Sequence, residues 1–158
     1  MEALQEQLLR AWRIHESKTF ALLDGIREGG LECTLSTRGG RTVGQQLVHC
    51  HAVRLMMLEE MRKDLRKGLP ELEREEGHDR KKLRKALGAS GDAIAKLIET
   101  TPPDGKVKLF KGGLVTFIAY LIAHESHHRG GIVLTLKQCK KPLSKDDSWG
   151  LWGWSKGV

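Results

Sequence analysis

Cysteines are few in this 158-residue sequence, and long apolar runs are absent. The three cysteines, Cys33, Cys50 and Cys139, are odd in number and form no C-x-x-C spacing, which argues against a disulfide framework, a structural zinc site of that type or a redox pair. No apolar stretch reaches the about 18 residues that a membrane span needs, and the segment after Met1 lacks a signal-peptide pattern. We therefore expect a reduced, cytoplasmic protein with no membrane partner.

Aromatic residues are also scarce, at 5% of the chain, and this bears on the net charge of +7. Surfaces that bind nucleic acid usually combine basic residues with aromatic side chains that stack on bases. The densest basic run, RKKLRK at 80–85, has no aromatic residue and directly follows the acidic segment ELEREEGHD at 71–79. Since these opposite charges largely offset each other, we expect no nucleic-acid partner.

Sustained strand alternation is missing, whereas four segments have the apolar spacing of helices. Thr42 is a plausible N-cap for the second segment, and Gly88 and Gly91 weaken the pattern of the third. Long helices with short to medium connections predict an all-α fold, a four-helix bundle that forms a single domain over residues 1–158. The predicted helices are 2–26, 43–67, 80–99 and 113–138, with a break at TPPDG (101–105).

The last segment, 142–158, contains three tryptophans among many turn-forming residues. It is too rich in glycine, serine and proline for a long helix. We expect its tryptophans to pack back onto the end of the bundle.

Histidines supply the main functional signal, because five of the seven fall into two groups. Residues four apart project from the same helix face, so His124 and His128 can direct both imidazoles at one point, with His127 to the side. A third histidine from the other group, His49 or His51, would complete an open metal site with three protein nitrogens. Imidazole suits zinc, nickel, copper and iron alike. We expect a divalent ion, with zinc or nickel first.

Periodicity leaves the third ligand open, because His49 and His51 lie on opposite shoulders of the apolar arc of their helix. The histidines also have a structural interpretation as hydrogen-bonded core residues, although the His124/His128 pair interrupts an apolar stripe. A buried imidazole there needs a partner or costs about 1–3 kcal/mol, and a shared ion would satisfy both. The spacing Glu125-x-x-His128 is typical of dimetal bundles, but the sequence lacks the further carboxylates such a site needs.

Three other residues near these motifs have an ordinary structural interpretation. Cys50 falls in the middle of an apolar arc and is expected to be a core residue rather than a nucleophile. Arg54 and Arg129 have the pattern of surface arginines, although either could bind an anionic substrate.

The segments RTVGQQLVHCHAVRLMML (41–58), AHESHHRGGIVLTLKQ (123–138) and WGLWGW (149–154) resemble the DinB/YfiT-like family of metal-dependent helical bundles over nearly the whole chain. In that family one metal-binding histidine comes from the second helix and two come from an H-x-x-x-H pair before an Arg-Gly on the last long helix. The resemblance implies His49, His124 and His128 as ligands and so selects His49 over His51. Many members read His-Arg-Gly-Gln where this chain has His-Arg-Gly-Gly at 128–131. Gly130 and Gly131 would still permit close approach of a neighbouring helix.

The same resemblance implies a function and a partner. Family members include S-transferases and isomerases that use low-molecular-weight thiols such as bacillithiol, mycothiol or glutathione with a small electrophilic substrate, and they are commonly homodimers. Glu125 and His127 are then candidate catalytic residues for proton transfer. The alternatives are a metal-binding stress-response protein without turnover and a structural dimeric bundle without metal.

Overall fold

The fold of this computed structural model, which describes residues 3–102 and 106–156, is a bundle of four long helices. No strand occurs in the described part, so the predicted all-α bundle is confirmed. The predicted helix start at Glu2 and residues 103–105 of the predicted break lie outside the described residues. The helices are α1 (Leu4–Gly25), α2 (Val43–Met61), α3 (Lys63–Arg66), α4 (Arg80–Thr100), α5 (Gly113–Gln138) and α6 (Lys145–Gly150), with 3-10 helices at Arg74–His78 and Trp154–Lys156.

One helix boundary differs from the prediction by several residues, whereas the ends of α1 and α4 differ by one. The second pattern was expected to continue to residue 67, but α2 ends at Met61 and the four-residue α3 follows. Arg62 separates them with φ −149° and ψ 70°, a conformation that interrupts the helical hydrogen-bond ladder. Apolar spacing continues across such a break, so the pattern alone cannot locate it.

Thr42 starts α2 as expected, through a reciprocal cap. Its hydroxyl accepts a hydrogen bond from the Gln45 backbone N–H at 3.2 Å, and the Gln45 side-chain oxygen accepts one from the Thr42 backbone N–H at 3.0 Å. This capping box satisfies two backbone donors that a helix start otherwise leaves unpaired. It fixes where α2 begins, and hence where His49 lies on the helix.

Two apolar clusters form the core, and a layer of buried polar groups separates them along the chain. Trp12 belongs to the first cluster and Leu22 to the second, with the buried His15 and Glu16 between them on α1. On α5 the buried Glu125 likewise falls between Leu121 and Ile132. The bundle therefore buries charged groups near its middle, where they need partners within the protein.

Gly91, which weakened the third helical pattern, makes room for this polar layer. A methyl group at position 91 would lie 1.4 Å from Oε1 of Glu16, so only glycine leaves space for that carboxylate. The Gly91 carbonyl also accepts a hydrogen bond from Nε1 of Trp12 at 3.0 Å. The glycine that lowers helix propensity here serves packing between α4 and α1.

The C-terminal tryptophans are more exposed than the sequence predicts. Trp149 and Trp152 are 68% and 78% exposed, so the prediction that they pack onto the bundle is wrong for these two, while Trp154 is half-buried. The segment is anchored instead by the buried Leu151 and by contact of Asp147 with α1 at Gly25. A short helix can bury only one face, and here the apolar contact is made by Leu151 rather than by the indoles.

No helix among the described residues is sufficiently long and apolar to cross a lipid bilayer.

Candidate metal centre

Three histidines from two helices meet at one point of the bundle. His49 lies on α2, His124 and His128 lie on α5, and these two helices are in direct contact. One ring nitrogen of each residue lies within 4.8 Å of those of the other two. The ring centroids are 4.8 Å apart for the α5 pair and 5.3 and 4.9 Å from that of His49. All three side chains of the cluster are half-buried, so solvent reaches part of each.

The electrostatics of the cluster fit a divalent cation. Burial lowers the pKa of His49, His124 and His128, and neighbouring positive groups lower it further, to about 4 for His128. The three imidazoles are therefore neutral near pH 7, which is the form that donates a lone pair to a metal. Nδ1 of His124 is buried and has no hydrogen-bond partner in the described protein. Three neutral imidazoles with an unpartnered nitrogen among them form a donor set that could hold a metal ion.

His51 lies outside this cluster, although it is only two residues from His49. It is buried, with Nδ1 3.0 Å from the Ser90 hydroxyl and Nε2 2.8 Å from the Pro70 carbonyl oxygen. Both ring nitrogens are thus used in structural hydrogen bonds. Of these two histidines, His49 alone belongs to the three-histidine cluster.

Arg41 is a residue near the site that the sequence reasoning missed. It is exposed and immediately precedes the N-cap of α2, and its positive charge lowers the pKa of all three clustered histidines. No local signal marks Arg41, because it precedes α2 and helical periodicity does not place it relative to His49. Arg41 gives the mouth of the cluster a positive charge that can attract anions.

Two of the α5 residues beside the cluster were predicted to transfer protons, and their settings differ. His127 is exposed, and its ring centroid lies 5.5 Å from that of His128. Glu125 is buried, and its carboxylate accepts hydrogen bonds from Arg54 at 2.6 and 2.7 Å and contacts Nε2 of His15 at 2.8 Å. Burial alone would raise the pKa of Glu125, but Arg54 and His15 outweigh it and lower the pKa to about 2. Such a carboxylate is a poor base near neutral pH.

Neither of the two arginines that were expected at the surface is fully exposed. Arg54 is 1% exposed, so that expectation is wrong, and it is paired with Glu125 in the polar layer. Arg129 is partly buried, and its Nη1 atom is enclosed without a hydrogen-bond partner in the described protein. Neither position was recognisable as interior because arginine in an apolar pattern usually extends its charged end to solvent.

Cys50 is a core residue, as its place in the apolar arc indicated. It is buried, and burial together with the negative charge of Glu125 raises the pKa of its thiol to about 12. A thiol in this state is almost entirely protonated and is a weak nucleophile.

The two glycines after Arg129 behave differently. A methyl group at Gly131 would lie 3.2 Å from Oε1 of Gln46 on α2, whereas at Gly130 nothing lies within 4 Å. The expected close approach of a neighbouring helix therefore applies to Gly131 alone.

The dimetal alternative finds no support in the described part of the chain. The other Glu-x-x-His motif lies in the 3-10 helix Arg74–His78, where Nδ1 of His78 is 2.6 Å from the backbone oxygen of Glu75. Within the described residues, the three-histidine cluster is the one group with metal-site geometry.

Comparison with known proteins gives a family match for most of the chain. The family model of the DinB family matches residues 1–142, a range that contains all three clustered histidines. Neither a search of curated proteins nor a search of solved structures finds a match.

Proposed function

Because this chain belongs to the DinB family, we propose that it is a metal-dependent thiol S-transferase that joins a low-molecular-weight thiol to a small electrophile. His49, His124 and His128 would hold one divalent ion, zinc or nickel. The observation that supports this proposal is the convergence of three neutral imidazoles within 4.8 Å. Three protein ligands leave an open position, which is the arrangement of catalytic rather than structural zinc sites.

The residues around the cluster supply the remaining functions. When bound, a divalent ion lowers the pKa of a thiol at the open position. The thiol sulfur then bonds to a carbon of the electrophile, whose leaving group departs with the bonding electron pair. His127 is exposed beside His128 and can pass the thiol proton to solvent. Arg41 can bind a carboxylate of the thiol, since a guanidinium matches a carboxylate in a two-point contact.

Glu125 has a positioning role in this proposal. Its hydrogen bonds to Arg54 connect α5 to α2, the two helices that carry the histidines. We assign proton transfer to His127 because the Glu125 carboxylate is already engaged and stays ionised down to a pH of about 2.

Elemental analysis of the purified protein and of His124→Ala tests metal binding, with His78→Ala as the control because His78 is exposed and outside the cluster. We expect about one ion per chain in the wild type and the control, and almost none in His124→Ala. Wild-type protein that stays metal-free after incubation with zinc or nickel would overturn the proposal and favour a structural bundle.

A conjugation screen tests the enzymatic part separately. Bacillithiol, mycothiol and glutathione are each offered with a small halogenated electrophile, and product is measured with the metal-loaded wild type and with His128→Ala. We expect product only with loaded wild type. Metal binding without any conjugation would leave a metal-binding protein without turnover, such as a stress-response protein. We also propose a cytoplasmic location and a homodimer, and sedimentation at several concentrations tests the dimer.

A further inference from the structure

A cavity lies between α5 and the C-terminal segment, away from the three clustered histidines. Its volume is about 400 Å³, within the range of small-molecule sites. Ser126, Arg129 and Val133 line it from α5, while Trp152 and Trp154 line it from the segment after α6. None of the three clustered histidines lines this cavity.

Arg129 is the single charged residue among those that line the cavity. Its Nη2 atom donates a hydrogen bond to the Ser126 hydroxyl at 2.8 Å, and its Nη1 atom is enclosed without a partner. The described residues place no carboxylate within ion-pair distance of this guanidinium. A guanidinium has five N–H donors. The charge of Glu125 offsets the burial of this cation only in part, because the pKa of Arg129 stays below its ordinary value. An anion in the cavity would therefore stabilise this side chain further.

The tryptophans determine the shape of what the cavity can hold. Trp152 is 78% exposed and Trp154 is half-buried, so one indole is free to adjust while the other is held by the bundle. The Trp154 ring centroid lies 6.4 Å from that of the buried His15. Indole rings offer flat apolar surfaces that favour stacking with another planar group.

We propose that this cavity binds a small organic acid, with the carboxylate on Arg129 and a planar apolar body against Trp152 and Trp154. Ser126 lines the same wall and can donate a hydrogen bond to the second carboxylate oxygen. Its lining includes none of the proposed metal ligands, so this inference does not rest on the proposed metal or transferase activity. A partly buried cation beside apolar walls also fits an acid better than a neutral ligand, which adds no opposite charge.

Titration calorimetry on the metal-free full chain tests this site with 3-phenylpropionate and its neutral analogue, 3-phenylpropanamide. We expect the acid to bind at least about tenfold more tightly than the amide, since only the acid makes a charge-assisted hydrogen bond to Arg129. Equal affinities, or no binding of the acid, would overturn the proposal. Metal content plays no part in this experiment, so its failure leaves the proposed function untouched.

Variants of the residues that line the cavity test whether the acid binds there. Arg129→Gln should abolish the preference for the acid, and Arg129→Lys should keep part of it because the charge remains. Trp152→Ala should weaken binding of both probes, and since Trp152 is exposed this variant stays informative if changes at Arg129 disturb folding. Trp149→Ala is the matched control, as Trp149 is 68% exposed and does not line the cavity.

Two results with these variants would contradict the site. Equal effects of Trp149→Ala and Trp152→Ala would show that the cavity does not recognise the probe. A wild type that binds no acid but is dimeric, and becomes monomeric in Trp152→Ala, would identify the face as an interface between two copies of the chain.

Discussion

Arg54 on α2 donates two hydrogen bonds to Glu125 on α5, from Nε to Oε1 at 2.6 Å and from Nη2 to Oε2 at 2.7 Å. Both side chains are almost fully buried. The pair connects the helix that carries His49 to the helix that carries His124 and His128. The spacing of the candidate metal ligands therefore depends on this ion pair. In the described hydrogen bonds, neither Arg54 nor Glu125 contacts any of the three histidines.

Replacing one partner of this ion pair should destabilise the protein strongly. Glu125→Leu leaves the Arg54 charge buried beside Glu16 alone, and we expect a loss of about 3–5 kcal/mol in the free energy of unfolding, measured by urea denaturation. The double variant Arg54→Met/Glu125→Leu should recover most of this loss, because no buried charge is left unpaired. Lys108→Met, which removes the exposed ion pair with Glu60, is the control and should change little. A double variant as unstable as the single one would contradict this account.

The same pair predicts an acid-sensitive fold. The pKa of Glu125 is about 2 in the folded protein against an ordinary value of 4.5, so below pH 4.5 the unfolded chain binds the proton more readily. This contribution to stability is complete above pH 4.5 and is lost as pH falls towards 2, by on the order of 3 kcal/mol. The lowered pKa of His15 acts in the same direction as pH falls below 6.5. Urea midpoints measured at stepped pH should show this slope, and Arg54→Met/Glu125→Leu should flatten it.

The two glycines of α4 should respond oppositely to alanine. Gly91→Ala places a methyl group on the Glu16 carboxylate and close to Nη1 of Arg54, and we expect destabilisation by about 1–3 kcal/mol. Gly88→Ala adds a methyl group 3.7 Å from Phe20, an ordinary contact, and should stabilise the helix by about 0.5–1 kcal/mol. Thermal unfolding of both variants distinguishes them, and equal melting temperatures would be inconsistent with the role given to Gly91.

Two neighbouring histidines should separate metal binding from folding. His49→Ala should lose the ion in equilibrium dialysis with zinc while keeping most of its stability, since His49 is half-buried and makes no described hydrogen bond in the core. His51→Ala should keep the ion but lose about 1–3 kcal/mol, because the Pro70 carbonyl and the Ser90 hydroxyl lose their partner. Metal loss in His51→Ala with an intact fold would indicate that the wrong histidine was chosen.

Cys50 should be inert towards alkylation in the folded protein. With a pKa of about 12 its thiolate is rare at pH 8, and the side chain is buried. Peptide mass spectrometry after brief iodoacetamide treatment should find Cys50 unmodified and the partly exposed Cys139 labelled first. Protein unfolded in urea is the control and should label at all three cysteines. Rapid native labelling of Cys50 would reopen its role as a nucleophile.

Local chemistry made the helical part of this protein predictable. Apolar periodicity identified four long helices, and Thr42 marked the start of α2, since capping and amphipathic spacing act over a few residues. The i, i+4 spacing of His124 and His128 likewise determined that these two imidazoles share a helix face.

Tertiary structure decided which distant residues meet. Spacing left His49 and His51 equivalent, and the packing of α2 on α5 brings His49 to the cluster while His51 turns to Ser90 and Pro70. The burial of Arg54, the need for Gly91 and the exposure of Trp149 and Trp152 also had no local signal. Each depends on how far one helix rotates and slides against another, and helical periodicity specifies a face only to within about one residue on either side.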